Sequence, residues 1–126
     1  MRCKVGALLF AVLLVATARA EVPRRIHFQR GRTSAEMTGR FTSKVTESLF
    51  VVHASKNQHM KVEIRPLTPN LITAGTVTAP SGKSDGAPGG VIFDSDLTET
   101  GDYRIRVFER EQNIPGRFAV RVDLKR

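Results

Sequence analysis

Apolar residues recur at every second position along most of this chain, and hardly anywhere at every third or fourth. That period confines the chain to strands with one face in a core and one in water. Met60, Val62 and Ile64 alternate with Lys61, Glu63 and Arg65. Tyr103, Ile105 and Val107 alternate with Arg104, Arg106 and Phe108. Phe118, Val120, Val122 and Leu124 alternate with Ala119, Arg121, Asp123 and Lys125, and Ile26 and Phe28 do so with Arg25, His27 and Gln29. Leu49-Phe50-Val51-Val52 is apolar on both sides and reads as a more central strand. Further strands are expected over residues 35–42, 71–78 and 91–93. Turn residues at 31–34, 55–58 and 66–70 separate them. The stretch 80–90, with Pro80, Pro88 and four glycines, reads as a long mobile loop. The expectation is an all-β fold, a small antiparallel sandwich of about eight short strands in one domain over residues 21–126.

The first twenty residues read differently. Arg2 and Lys4 precede an apolar run from Val5 to Ala18, and Ala18-Arg19-Ala20 has the form of a signal-peptidase site. The run is shorter than the roughly 20 residues a bilayer-spanning helix needs. Residues 1–20 are therefore expected to be a cleaved signal peptide, and the rest to work in the periplasm or as a secreted protein. Cys3, the sole cysteine, would leave with the signal. The domain then rests on its hydrophobic core without a disulfide, and thiol catalysis and cysteine metal sites are excluded.

The formal charge is +8. Arg2, Lys4 and Arg19 carry three of those positive charges with no acid beside them, which leaves +5 for the domain. Basic and acidic residues are interspersed, so this is no polybasic tail. With seven Phe, one Tyr and no Trp, no strand offers a base-stacking platform, which argues against nucleic acid.

Catalytic groups are sparse. His27, His53 and His59 have no metal-ligand spacing and read as surface or half-buried histidines. No G-x-S-x-G elbow supports a serine triad. Asp94-Ser95-Asp96, with Glu99 and Asp102 near, resembles the start of a calcium loop but lacks its glycine and spacing, and reads as a strand-end acidic cluster. No cofactor, metal or enzymatic activity is expected. The arginines carry more information. If the last two long strands form a hairpin, Arg104 and Arg106 would lie beside Arg117, Arg121 and Lys125, with Arg110 in the connection. Such a basic stripe is unfavourable unless Glu109, Asp123 or a partner relieves it.

The run from Arg25 to Gly39, Arg-Ile-His-Phe-Gln-Arg-Gly-Arg-Thr-Ser-Ala-Glu-Met-Thr-Gly, resembles the opening of the bacterial periplasmic inhibitors of goose-type lysozyme. Ala54-Ser55-Lys56-Asn57-Gln58 resembles their turn before the Met60 strand, and Thr100-Gly101-Asp102-Tyr103-Arg104-Ile105-Arg106-Val107 their Ser/Thr-Gly-x-Tyr-x-x-Arg-Val segment. The Gly-x-Tyr-x-x-Arg-Val pattern is also similar to prepeptidase C-terminal-type β-sandwich modules. The resemblance implies a small antiparallel sandwich, with Gly39, Gly101 and Tyr103 in structural roles. It also implies a non-catalytic inhibitor whose loops plug the muramidase cleft. Arg106 matches the family's strand arginine. Arg110 stands one position out of register with a family loop arginine, and Arg117 further out. Lys44 and Val45 stand where the family has an aromatic residue. The partner implied is a lysozyme, goose-type foremost. The alternative reading is a non-catalytic envelope module that binds a polyanion or another protein.

Overall fold

The computed structural model describes residues 22–110 and 114–126; the expected signal peptide, residues 1–20, lies outside them. Among these described residues nine strands follow in order: β1 (Arg24–Arg25), β2 (Ser34–Phe41), β3 (Glu47–Ala54), β4 (His59–Pro66), β5 (Thr73–Thr78), β6 (Ser84–Pro88), β7 (Gly90–Asp96), β8 (Gly101–Glu109) and β9 (Gly116–Lys125). They form two facing sheets, β1-β3-β8-β5-β6 and β2-β9-β4-β7. All pairings are antiparallel except the two-residue β1 beside β3. This is the expected all-β sandwich.

The alternation in sequence is the reason for the core. Every second residue of β3, β4, β8 and β9 points between the sheets, and Phe50, Val52, Met60, Val62, Ile105, Val107, Phe118, Val120 and Val122 have no exposure left. Each such side chain contributes about 1.5–3 kcal/mol by leaving water. Phe118 sits at the centre. Its ring stacks on Phe41 at 4.7 Å between centroids and meets Phe50 edge-on at 6.3 Å. The edges are blunted by brevity in β1 and by charge on β2 and β7, which discourages pairing between molecules.

Three expectations are corrected here. The stretch 80–90 is not a long loop. Ala79 and Lys83 close a turn, with Gly82 at φ +100°, and β6 then pairs with β5 from Ser84 to Pro88. Glu99 pins that turn by accepting Ser81 N–H at 2.8 Å and Ser81 Oγ–H at 2.7 Å. The strand expected around Ile26 and Phe28 is reduced to Arg24–Arg25, although Ile26 is buried and Phe28 packs on the core. The last two strands are not a hairpin. β8 already has β3 and β5 as partners and β9 has β2 and β4, so the connection between them crosses from one sheet to the other.

Tyr103 takes the structural place expected of it. Its ring is buried and its hydroxyl donates to the Glu99 carbonyl at 2.8 Å, tying β8 to the connection before it. Gly101 adopts φ +148° against Pro80 Cγ, where a Cβ would lie at 2.8 Å.

Candidate functional site

Two connections meet at one end of the sandwich. Residues 42–46 join β2 to β3, and the chain leaving β8 at Arg110 returns to β9 at Gly116. Register brings them together, because Phe41 pairs with Gly116 and Glu47 with Phe108. Thr42 shapes the first connection. Its Oγ1 accepts the N–H groups of Lys44 and Val45 at 3.2 and 3.0 Å, which leaves Lys44 exposed. The end of β8 is held on both sides. Glu109 N–H donates to the Thr46 carbonyl at 3.3 Å and Arg110 N–H to the Ile72 carbonyl at 2.8 Å.

Glu109 also anchors the second connection. It is 8% exposed, and its Oε2 accepts Ile114 N–H at 3.0 Å. Its parity along β8 points it inward, so it does not relieve surface arginines as the sequence suggested. Oε1, and Oγ1 of Thr73 on the paired strand, are buried without a hydrogen-bond partner among the described residues. Glu109→Ala is expected to lower stability by about 1–3 kcal/mol, because it strands a loop N–H as well. Urea unfolding of Glu109→Ala beside Glu109→Gln checks this; the glutamine, which keeps an acceptor, should lose less.

Arg106 lies on the outer face of β8, paired with Leu49 and Thr76, two residues before Phe108. Its Nε donates to the Glu47 carboxylate, and its guanidinium lies 4.7 Å from the centre of the Phe108 ring. These two contacts hold the planar group in place, and the side chain remains about half exposed. Arg110 and Lys44 are exposed at the same end. Arg104 is also exposed, but it sits two residues farther from this end, opposite Val51 and Thr78. Arg117 is set apart with Arg121 and Lys125 on the outer face of the other sheet, so the expected five-residue basic stripe does not exist.

Sequence reasoning missed what Glu47 and Phe108 do for Arg106. It also missed a cluster across β4 and β7. His59 stands between Asp96, 2.7 Å from Nδ1, and Asp94, 2.5 Å from Nε2. The x-Asp-x-Asp alternation in β7 was its signal, but only register supplies the histidine. These carboxylates are spent on His59, and no group of three or more metal-ligating side chains is arranged to hold an ion among the described residues. Hydrogen bonds to Asp96, then Asp94, push the His59 pKa up. Its stabilising contribution is therefore complete below about pH 6.5, the unfolded value, and is lost as pH rises through the higher folded value. The melting temperature should fall between pH 6 and pH 8 more in the native protein than in His59→Gln.

No family model matches this chain, and no curated protein matches it. Solved structures do. The periplasmic inhibitor of g-type lysozyme from Aeromonas hydrophila superposes with a TM-score of 0.68 at 20% identity, over 82% of this chain and 96% of that one. The corresponding inhibitor from Salmonella Typhimurium gives 0.66 at 18% identity, over 85% and 100%. The prepeptidase C-terminal domain of a Bacillus anthracis collagenase gives 0.64 at 14% identity, over 85% and 100%. This chain has their fold. At such identity the likeness extends to architecture, and both architectures implied by the sequence resemblance are among the matches.

Proposed function

We propose that this protein is a non-catalytic periplasmic inhibitor of lysozyme, with goose-type lysozyme as its preferred target. The observation that carries the reading is Arg106, clamped by Glu47 and Phe108 on a sandwich end that also bears Arg110 and Lys44. The shared fold with g-type lysozyme inhibitors adds support. Lysozymes cleave glycosidic bonds with a pair of carboxyl groups in a cleft. A guanidinium meets a carboxylate through two parallel hydrogen bonds, and one already fixed in orientation loses less freedom on binding. In this reading the end formed by residues 42–46, with Arg110 beside it, enters the cleft. Arg106 and Arg110 engage its carboxylates, and Lys44 lies at the rim. Arg104 and Arg117 flank the contact on either side. Such a complex should be saturable, of one-to-one stoichiometry, and persistent at moderate salt. Calorimetric titration into goose-type lysozyme should show a Kd that weakens less than about tenfold between 50 and 200 mM salt. Weak binding that disappears over that range would instead favour a module held to a polyanion by charge.

A further inference from the structure

The outer face of the β2-β9-β4-β7 sheet pairs opposite charges row by row. Asp94, Lys61 and Asp123 share one row, and Glu63, Arg121 and Glu36 the next. His59 has Asp96 on one side and Lys125 on the other, and Arg65 reaches Glu36 at 2.8 Å. At the end of β2 the pattern breaks. Arg40 stands directly opposite Arg117. Like charges at paired positions on neighbouring strands are destabilising. None of the ion pairs among the described residues includes either of them.

A third arginine converges on the same place from the other sheet. Arg24 of β1 donates Nη2–H to the Thr38 carbonyl at 2.8 Å, and its guanidinium rests 4.9 Å from the centre of the Phe50 ring. It is thereby held across the seam between the sheets rather than left to extend into solvent. Arg24, Arg40 and Arg117, with Thr38, Gly39 and Ser48, line a groove of about 390 Å³. Ser48 is a polar side chain turned inward at the mouth of the core, only 5% exposed.

We propose that this groove is a binding site for a phosphate monoester group. Three guanidinium groups with no carboxylate among the described residues that line the groove match a doubly charged tetrahedral anion better than a singly charged planar one. Bound there, the anion would sit between Arg40 and Arg117 and remove the repulsion that the empty row carries. The phosphate could be carried by a lipid headgroup or by a soluble phosphorylated compound, and the two sources are separable.

Inorganic phosphate, titrated at constant ionic strength against chloride, is expected to shift the backbone amide resonances of Thr38, Gly39, Ser48 and Arg117 in a saturable way, and to raise the melting temperature. Arg40→Thr with Arg117→Thr should abolish both responses. Without phosphate, that double variant should melt at or above the native protein, since it loses a repulsion. Co-sedimentation of the native protein, but not the double variant, with phosphatidic acid vesicles and not with phosphatidylcholine vesicles would assign the lipid source. Phosphate-induced shifts without vesicle binding would assign the soluble one. Absence of saturable shifts, equal shifts in the double variant, or a double variant that melts lower than the native protein would overturn the proposal.

Discussion

Replacing Arg106 and Arg110 together by alanine is expected to weaken lysozyme inhibition by about 100-fold or more, the loss typical when central arginines of an interface are truncated. The fold should survive. The Arg106–Glu47 pair is open to water, with 47% and 38% of the two side chains exposed, and such pairs contribute at most about 1 kcal/mol. The stack on Phe108 adds about 0.5–1 kcal/mol at an exposed site. Arg110 contributes to the fold through its backbone N–H, which alanine keeps. The measurement is an inhibition curve for each variant beside its melting temperature. Inhibition at the native level would remove these arginines from the contact. Lost inhibition accompanied by unfolding would make Arg106 a structural residue.

Phe118→Ala should be the most damaging core substitution, at about 3–5 kcal/mol. The ring is fully buried and touches both halves of the molecule, stacked on Phe41 of its own sheet and edge-on to Phe50 of the other. It also passes beneath Gly39, where a Cβ would lie 2.9 Å from Phe118 Cε1 and closer still to Cζ. Gly39 is thus the gap through which β2 closes over the ring, and with no side chain at Gly39 to move in, the space the ring leaves is filled only in part. Chemical denaturation of Phe118→Ala and Phe118→Leu gives the comparison. A loss below about 1.5 kcal/mol for alanine would mean that the two sheets are held together elsewhere.

Period-two alternation is a local signal, and it located β4, β8 and β9 because each buries one face; β3 was found instead by its doubly apolar run at 49–52, although in the sandwich it too buries only alternate residues. It could not locate β6. Ser84-Asp85-Gly86-Ala87-Pro88 lies at a sheet edge with hardly any residue buried, and its backbone ladder to β5 holds it without an apolar face. The prolines and glycines of the stretch 80–90 therefore looked like a loop, although an edge strand tolerates proline. Nor could local signals tell that β8 and β9 belong to different sheets. Adjacency in sequence favours a hairpin, and what decides otherwise is which strands flank each one. The cost of opposed arginines along such a hairpin was the visible hint against it.

The candidate site divides in the same way. Arg106 was singled out in the sequence by its match to the family's strand arginine, Arg110 by a near match one position out of register, and Lys44 as the residue standing in place of the family's aromatic. The partners that define them were not. Glu47 reaches Arg106 across a strand pair separated by nearly sixty residues, and Arg24, Arg40 and Arg117 converge from three strands and both sheets. Such clusters arise from register and sheet packing, and no spacing within one segment encodes them.

The account turns on one measurement, the lysis of peptidoglycan by goose-, chicken- and invertebrate-type lysozymes with and without the purified protein. Inhibition of the goose type, saturating near one equivalent and weaker or absent for the others, is the predicted result. Undiminished lysis by all three at several equivalents would contradict the inhibitor reading and leave a β-sandwich that binds something else.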